Sequence, residues 1–129
     1  MDSSAIVTLL SGREYVGELR DYLRGRPATP LATSSVGFVE TVRTLDQVGD
    51  FPHLMQDLTR DFTEILLTEE VRDAAALLPG RVRPLDAIHI ASAQVLEDAL
   101  DVLISYDKRM LDVATAAGLP AASPGFAAD

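Results

Sequence analysis

The stretch that most constrains this chain covers residues 83–110, RPLDAIHIASAQVLEDALDVLISYDKRM. It reads as a helix, a tight turn, a buried strand, and an acid where that strand ends. Pro84 suits a first helical position, because its missing N–H has no intrahelical acceptor there and its φ is already helical. Over 85–100, Leu85, Ile88, Val95, Leu96 and Ala99 recur on one side at helical spacing, with Ile90 and Ala93 opposite. A helix that is apolar nearly all round is a buried one. Asp86 is the only charge in its first three turns. Val102, Leu103 and Ile104 then form an unbroken apolar run, the pattern of an interior parallel strand covered on both faces. Ser105, Tyr106 and Asp107 emerge at its carboxyl end, where open α/β sheets bind ligands. Stability alone would put neither Asp86 nor Asp107 at the edge of a buried element.

The same alternation runs through the rest of the sequence. Asp2, Ser3 and Ser4 precede the apolar residues Ile6, Val7, Leu9 and Leu10, which reads as a capped helix start with no strand before it. A second helix is predicted over 13–24, with Tyr15, Leu19, Tyr22 and Leu23 on one stripe. A strand over 31–34 leads into a helix capped by Ser34 or Ser35 and running to about Val48. Its core arc is Val36, Phe38, Val39, Val42 and Leu45, with Glu40 at the arc's edge, where it could line a cleft. Pro52 opens a short helix that turns Leu54, Met55, Leu58 and Phe62 inward. A third strand is predicted over 65–68, and Glu69 and Glu70 open a helix whose inward residues are Val71, Ala75 and Leu78. A helix over 111–117, an edge strand over 119–123 and a loose tail over 124–129 complete the chain. Strands alternating with helices predict a single α/β domain over residues 1–129, a parallel sheet sandwiched between helical layers.

Composition excludes several classes. With 129 residues and 47% hydrophobic content, the chain can build one real core. No apolar run approaches the roughly 20 residues of a membrane span. Met1 and Asp2 leave no basic n-region, so no secretory leader is expected and the cytoplasm is the default compartment. The absence of cysteine rules out disulfides, thiolate zinc sites and a thiol nucleophile. A net charge of −9 opposes a phosphate-rich partner at first sight. That objection weakens if several acids share one cation, which inverts the local field.

Four of the 20 acids stand apart: Asp2, Glu40, Asp86 and Asp107. Each lies near a strand end or helix start among apolar neighbours, and parallel strands joined by helices send all their carboxyl ends to one rim. Carboxylates gathered there raise one another's pKa unless a cation joins them. An all-oxygen set suits Mg²⁺ or Mn²⁺, which keep several waters and bridge to phosphate. His53 and His89, the only histidines, make a poor zinc or copper site; His89 reads as a core or supporting residue. Such a cluster can polarise a phosphoryl oxygen and activate water for in-line attack.

These residues carry a resemblance. The opening Asp2-Ser3-Ser4-Ala5, Glu40 within GFVETVRTL, the segment RPLDAIHIASA and the segment SYDKRM together resemble PIN-domain proteins, and among them the VapC ribonucleases of bacterial toxin–antitoxin systems. The likeness covers essentially the whole chain. It implies a three-layer PIN-like sandwich with a central parallel sheet of about five strands. It also implies that Asp2, Glu40, Asp86 and Asp107 hold Mg²⁺ or Mn²⁺ and act as the catalytic acids, while the hydroxyls of Ser4 and Ser105 order the cluster. The implied activity is endonucleolytic RNA cleavage by metal-activated water. The implied partners are an RNA substrate, a cognate VapB-like antitoxin and a second copy of the chain. One departure stands out: such chains carry two or three strand residues before the first aspartate, and here only Met1 does. Either translation starts further upstream or the central strand is short.

Other classes fit less well. A PIN nuclease of RNA processing or decay shares the chemistry without the toxicity. A phosphoacceptor signalling domain wants an acid closing the mid-chain strand 65–67, and none is there; Lys108 is the only lysine. A catalytically inert α/β binding module has no need of all four acids.

Overall fold

The structure, a computed structural model, describes residues 1–126. Helix α1 (Ser3–Ser11) starts where capping chemistry puts it: Asp2 is extended and its carboxylate accepts the Ala5 N–H. Gly12, at φ 71°, ends α1 by returning its N–H to the Thr8 carbonyl. Apolar side chains bury α1 on two sides, with Ala5 and Ile6 fully inaccessible. There follow α2 (Val16–Arg24), β1 (Ala32–Ser34), α3 (Ser35–Val48), α4 (Leu54–Asp61), β2 (Thr63–Ile65) and α5 (Glu69–Ala76). Then come α6 (Pro84–Gln94), β3 (Leu103–Ile104), α7 (Lys108–Ala116) and β4 (Ala121–Ala122).

The α/β alternation is present, but the sheet differs from the five-stranded expectation. Among the described residues there are two separate parallel pairs, β1 with β2 and β3 with β4. Backbone from Met1 and Asp2 links them. The Met1 ammonium donates to the Ala32 carbonyl at 2.8 Å, and the Asp2 N–H donates to the Ile104 carbonyl at 3.2 Å. Two residues of extended chain thus stand between β1 and β3 and touch both.

Other departures have local causes. Strand β2 begins two residues before the apolar run, because the Phe62 N–H still closes α4 on Leu58 and Thr63 is the first free to pair, at 2.8 Å to the Leu31 carbonyl. Leu66 and Leu67 therefore fall beyond the ladder, 61% and 51% exposed. Helix α3 is rotated from the expected arc. Its buried line is Gly37, Thr41 and Leu45, and Val39 is exposed. A Cβ at position 37 would collide with the Thr33 hydroxyl, so only glycine fits where the helix faces inward. Met55 on α4 is exposed, not buried. Helix α6 stops at Gln94 instead of running to residue 100; the chain tightens into a short 3₁₀ turn at Glu97–Ala99 before entering β3. Of the tail expected to be loose, Pro124 accepts the Tyr106 hydroxyl at 2.8 Å and Phe126 packs against Tyr15. Residues 127–129 lie outside those described.

The core divides around α1. On one side Ile6 and Val7 meet Leu45, Leu54, Leu58 and Phe62; on another Ala5 meets Leu19 and Ile104. A third cluster joins Ile90 and Ala93 of α6 to Leu103, Met110 and Ala114. No helix among the described residues is long and apolar enough to cross a membrane.

His89 belongs to this framework. Its Nδ1 lies 2.8 Å from the Ser34 hydroxyl, which also accepts the Gly37 N–H at 2.9 Å. The arrangement is satisfied when the hydroxyl proton points at a neutral ring. Burial, assisted by the Met1 ammonium, depresses the His89 pKa to about 3. In the unfolded chain it returns to about 6.5, so unfolding takes up a proton between those values. The stabilisation is complete above pH 6.5 and declines as pH falls toward 3. Urea denaturation between pH 7 and pH 5 should show this proton as an added slope of up to about 1.4 kcal/mol per pH unit, which the variant His89→Gln lacks.

Candidate active site

Asp2 is the centre of the site, 4% exposed. Its position follows from the two preceding arguments: the cap of α1 fixes its backbone, and the bond to Ile104 fixes it against β3. The carboxylate is then satisfied from three sides. Ser4 donates to Oδ1 at 2.6 Å, Ser105 donates to Oδ2 at 2.5 Å, and the Ala5 N–H reaches Oδ1 at 3.1 Å. Each serine also accepts a backbone amide from the residues after β3, Tyr106 to Ser4 at 2.8 Å and Asp107 to Ser105 at 3.0 Å. With both hydroxyl protons committed to Asp2, the 3.3 Å approach of the two serine oxygens carries no proton of its own. The result is a directed chain, amide to hydroxyl to carboxylate. Burial raises the Asp2 pKa, and the two hydroxyls, the amide and the Met1 ammonium oppose that rise.

The remaining acids arrive from three helix starts. Asp107 caps α7, its side chain accepting the Arg109 N–H at 3.0 Å. Glu40 sits in the second turn of α3, half-buried, and the Ser3 hydroxyl approaches its Oε1 at 3.4 Å. Asp86 lies in the first turn of α6, where its Oδ2 pairs with the Arg83 guanidinium at 3.3 Å. Glu40 registers all the others. Its pKa is raised by burial first, then by the charges of Asp2 and Asp86, with a smaller push from Asp107. Four carboxylates separated by up to 105 positions in sequence therefore share one field.

The four are neighbours and not yet a closed cage. Among the described residues no group of three or more acidic, histidine or cysteine side chains stands close enough to hold a metal ion as placed. The reason is visible in the partners: Asp2 is turned toward hydroxyls, Asp86 toward a guanidinium, Asp107 toward the amide of its own helix. The donor chemistry fits a hard divalent cation, being oxygen only, and His89 is engaged with Ser34 in the core. Sequence reasoning did not pick out Ser3 or Arg83. Arg83 was readable, because a cation three residues before an acid at a helix start is a familiar pairing distance; Ser3 was not, since its partner lies 37 residues away.

Comparison with known proteins gives one family. The PIN domain matches residues 1–116. The chain is 36% identical over 126 residues to a protein named Ribonuclease VapC46 of Mycobacterium tuberculosis, covering 96% of this chain and 95% of that one. It is 35% identical over 130 residues to one named Ribonuclease VapC47, covering 97% and 96%, and 31% identical over 132 residues to one named Ribonuclease VapC35, covering 98% and 97%, both of the same species. No solved structure matches significantly.

The serine relay has a measurable consequence. Ser105→Ala leaves Asp2 Oδ2 without a donor and the Asp107 N–H without an acceptor. Urea unfolding should show a loss of about 1–3 kcal/mol, whereas a value near zero would mean that the hydroxyl is replaceable by solvent.

Proposed function

This chain belongs to the PIN-domain family, among the VapC ribonucleases, and from that premise we propose that it is a Mg²⁺- or Mn²⁺-dependent endoribonuclease, the toxin of a VapBC-type module. The observation that supports this most directly is the shared field of Asp2, Glu40, Asp86 and Asp107, felt at Glu40. Such crowding of acids around the buried Asp2 opposes folding unless positive charge relieves it. Asp2, Glu40, Asp86 and Asp107 would hold a divalent cation, which would supply that charge, polarise a phosphoryl oxygen and lower the pKa of a bound water.

The protein's own part is placement. Ser4 and Ser105 hold the Asp2 carboxylate in one orientation. Glu40, Asp86 and Asp107 add the remaining negative charge from separate helices, which lets the set close from several directions. Arg81, Lys108 and Arg109, which make no ion pair among the described residues, are candidates for contact with a substrate phosphate. Guanidinium forks suit that contact. In this reading a net charge of −9 is no obstacle to RNA, because much of the charge near the site is neutralised by the cation. A VapB-like antitoxin would silence the site, and a second copy of the chain is the expected partner in solution.

Two experiments test the assignment. Purified free of antitoxin and titrated with Mg²⁺ on a panel of structured RNAs, the protein should cleave, and Asp86→Asn should lose cleavage by at least about a hundredfold. The amide keeps the side chain's shape, so the metal-free melting temperature should hold or rise as repulsion is relieved. Retained cleavage refutes the catalytic role, and a large fall in melting temperature recasts Asp86 as structural. Separately, Mn²⁺ at a hundred times its dissociation constant should stabilise the wild-type fold by about 2.7 kcal/mol, and Glu40→Gln should lose most of that gain. A cognate antitoxin encoded alongside, together with growth arrest on overexpression, separates the toxin from a nuclease of RNA processing.

A further inference from the structure

Tyr106 separates Ser105 from Asp107 and is held at three points. Its amide donates to the Ser4 hydroxyl at 2.8 Å, and its own hydroxyl donates to the Pro124 carbonyl, also at 2.8 Å. Its ring stacks on Tyr15, with centroids 5.6 Å apart and planes within 11°. Side chains alternate along an extended strand, so Tyr106 continues the face of Ile104, toward Ala5 and Leu19, while Ser105 turns to Asp2.

Both supports of the ring have a distinctive backbone. Tyr15 adopts φ 74°, ψ 4°, a left-handed conformation uncommon for a non-glycine residue. Its side chain caps no amide of α2, so capping does not account for the conformation. Strain of this kind persists only where the surroundings over-determine it. Here they are aromatic: Tyr106, and Phe126 at 5.9 Å with its plane tilted by 46°. Phe126 arrives through a turn over residues 123–126, whose central positions are Pro124 and Gly125. The Phe126 amide closes it on the Ser123 carbonyl at 2.9 Å. Gly125, at φ 88°, supplies the left-handed residue that such a turn needs. The segment after β4 is thereby tied, through one hydroxyl and one ring, to the residue between two members of the acid rim.

We propose that Tyr106 is a positioning residue: stacked on Tyr15 and bonded to the 123–126 turn, it fixes the peptides that carry Ser105 and Asp107. A shift of the ring displaces both neighbours, each one peptide away. The same shift breaks the amide bond that orients the Ser4 hydroxyl, one of the donors to Asp2. The effect on cleavage rests on the assignment of these acids to the metal site; the effect on local order does not.

Amide hydrogen exchange in the metal-free protein, read residue by residue, tests the local part. Tyr15→Asn removes the ring, and asparagine tolerates the left-handed backbone, so the fold is kept. The Tyr106 and Asp107 amides should exchange roughly two- to tenfold faster, the weight of one aromatic pair, while the Ala91 amide of α6 keeps its rate. Tyr106→Phe deletes only the bond to Pro124 and should accelerate the same two amides less. Tyr15→Phe keeps the stack and should match the wild type. On RNA, Tyr15→Asn should lower kcat and leave KM unchanged. Unchanged exchange at Tyr106 and Asp107, or equal acceleration at Ala91, overturns the positioning role. Faster local exchange with an unchanged kcat overturns it as well, because the turn would then move without consequence. If the wild-type protein itself cleaves no RNA, the exchange rates still decide whether Tyr106 holds the turn, so the two readings fail separately.

Discussion

Asp2 is the point through which fold and chemistry are joined. Its amide ties the chain to β3, its carboxylate caps α1, and the same carboxylate is the anchor of the acid rim. A charged group with 4% exposure is tolerable only when nearly every lone pair has a donor. Here two hydroxyls and an amide supply them. The hydroxyls are in turn oriented by amides at the end of β3, so the position of that strand is read directly by the carboxylate. Remove the strand's alignment and the acid loses its donors; remove the acid and α1 loses its cap.

The remaining acids depend less on the interior. Glu40, Asp86 and Asp107 each come from a helix start or second turn, with a single local donor: Ser3, Arg83 or an amide of α7. That division has a physical logic. One buried, over-determined carboxylate sets the origin of the site, and three more accessible ones can adjust around it. Asp86 takes its positive partner from the protein's own surface, in Arg83.

Much of this was readable from residue order. Capping chemistry placed Asp2 at the head of α1, and the apolar run Val102 to Ile104 placed β3 to within a residue; the last helix was expected only from Leu111, whereas it starts at Lys108 with Asp107 as its cap. The alternation of strands with helices gave the α/β class. Where the reading failed, tertiary contacts overrode periodicity. The helix wheel of α3 favoured its valines, but contact with Thr33 demanded Gly37 on the inner face, and Val39 went outside. The run Ile65-Leu66-Leu67 looked like a strand, yet the ladder starts at Thr63, where α4 releases the backbone. The five-stranded sheet was expected from family likeness; two parallel pairs are what the described residues form. The hydroxyls of Ser4 and Ser105 were expected beside the acids from the family likeness, whereas the approach of Ser3 to Glu40 was not legible, because the two lie 37 positions apart and no local pattern encodes that contact.

The serine relay also bears on ionic discrimination. Mg²⁺ insists on near-ideal octahedral angles at short distances, whereas Ca²⁺ accepts more ligands, longer bonds and looser angles. A carboxylate pinned by two hydroxyls and an amide cannot swivel to wrap a bulkier ion in bidentate fashion. At the proposed metal site, rigidity at Asp2 would therefore favour the compact ion and leave calcium under-coordinated, without any dedicated filter.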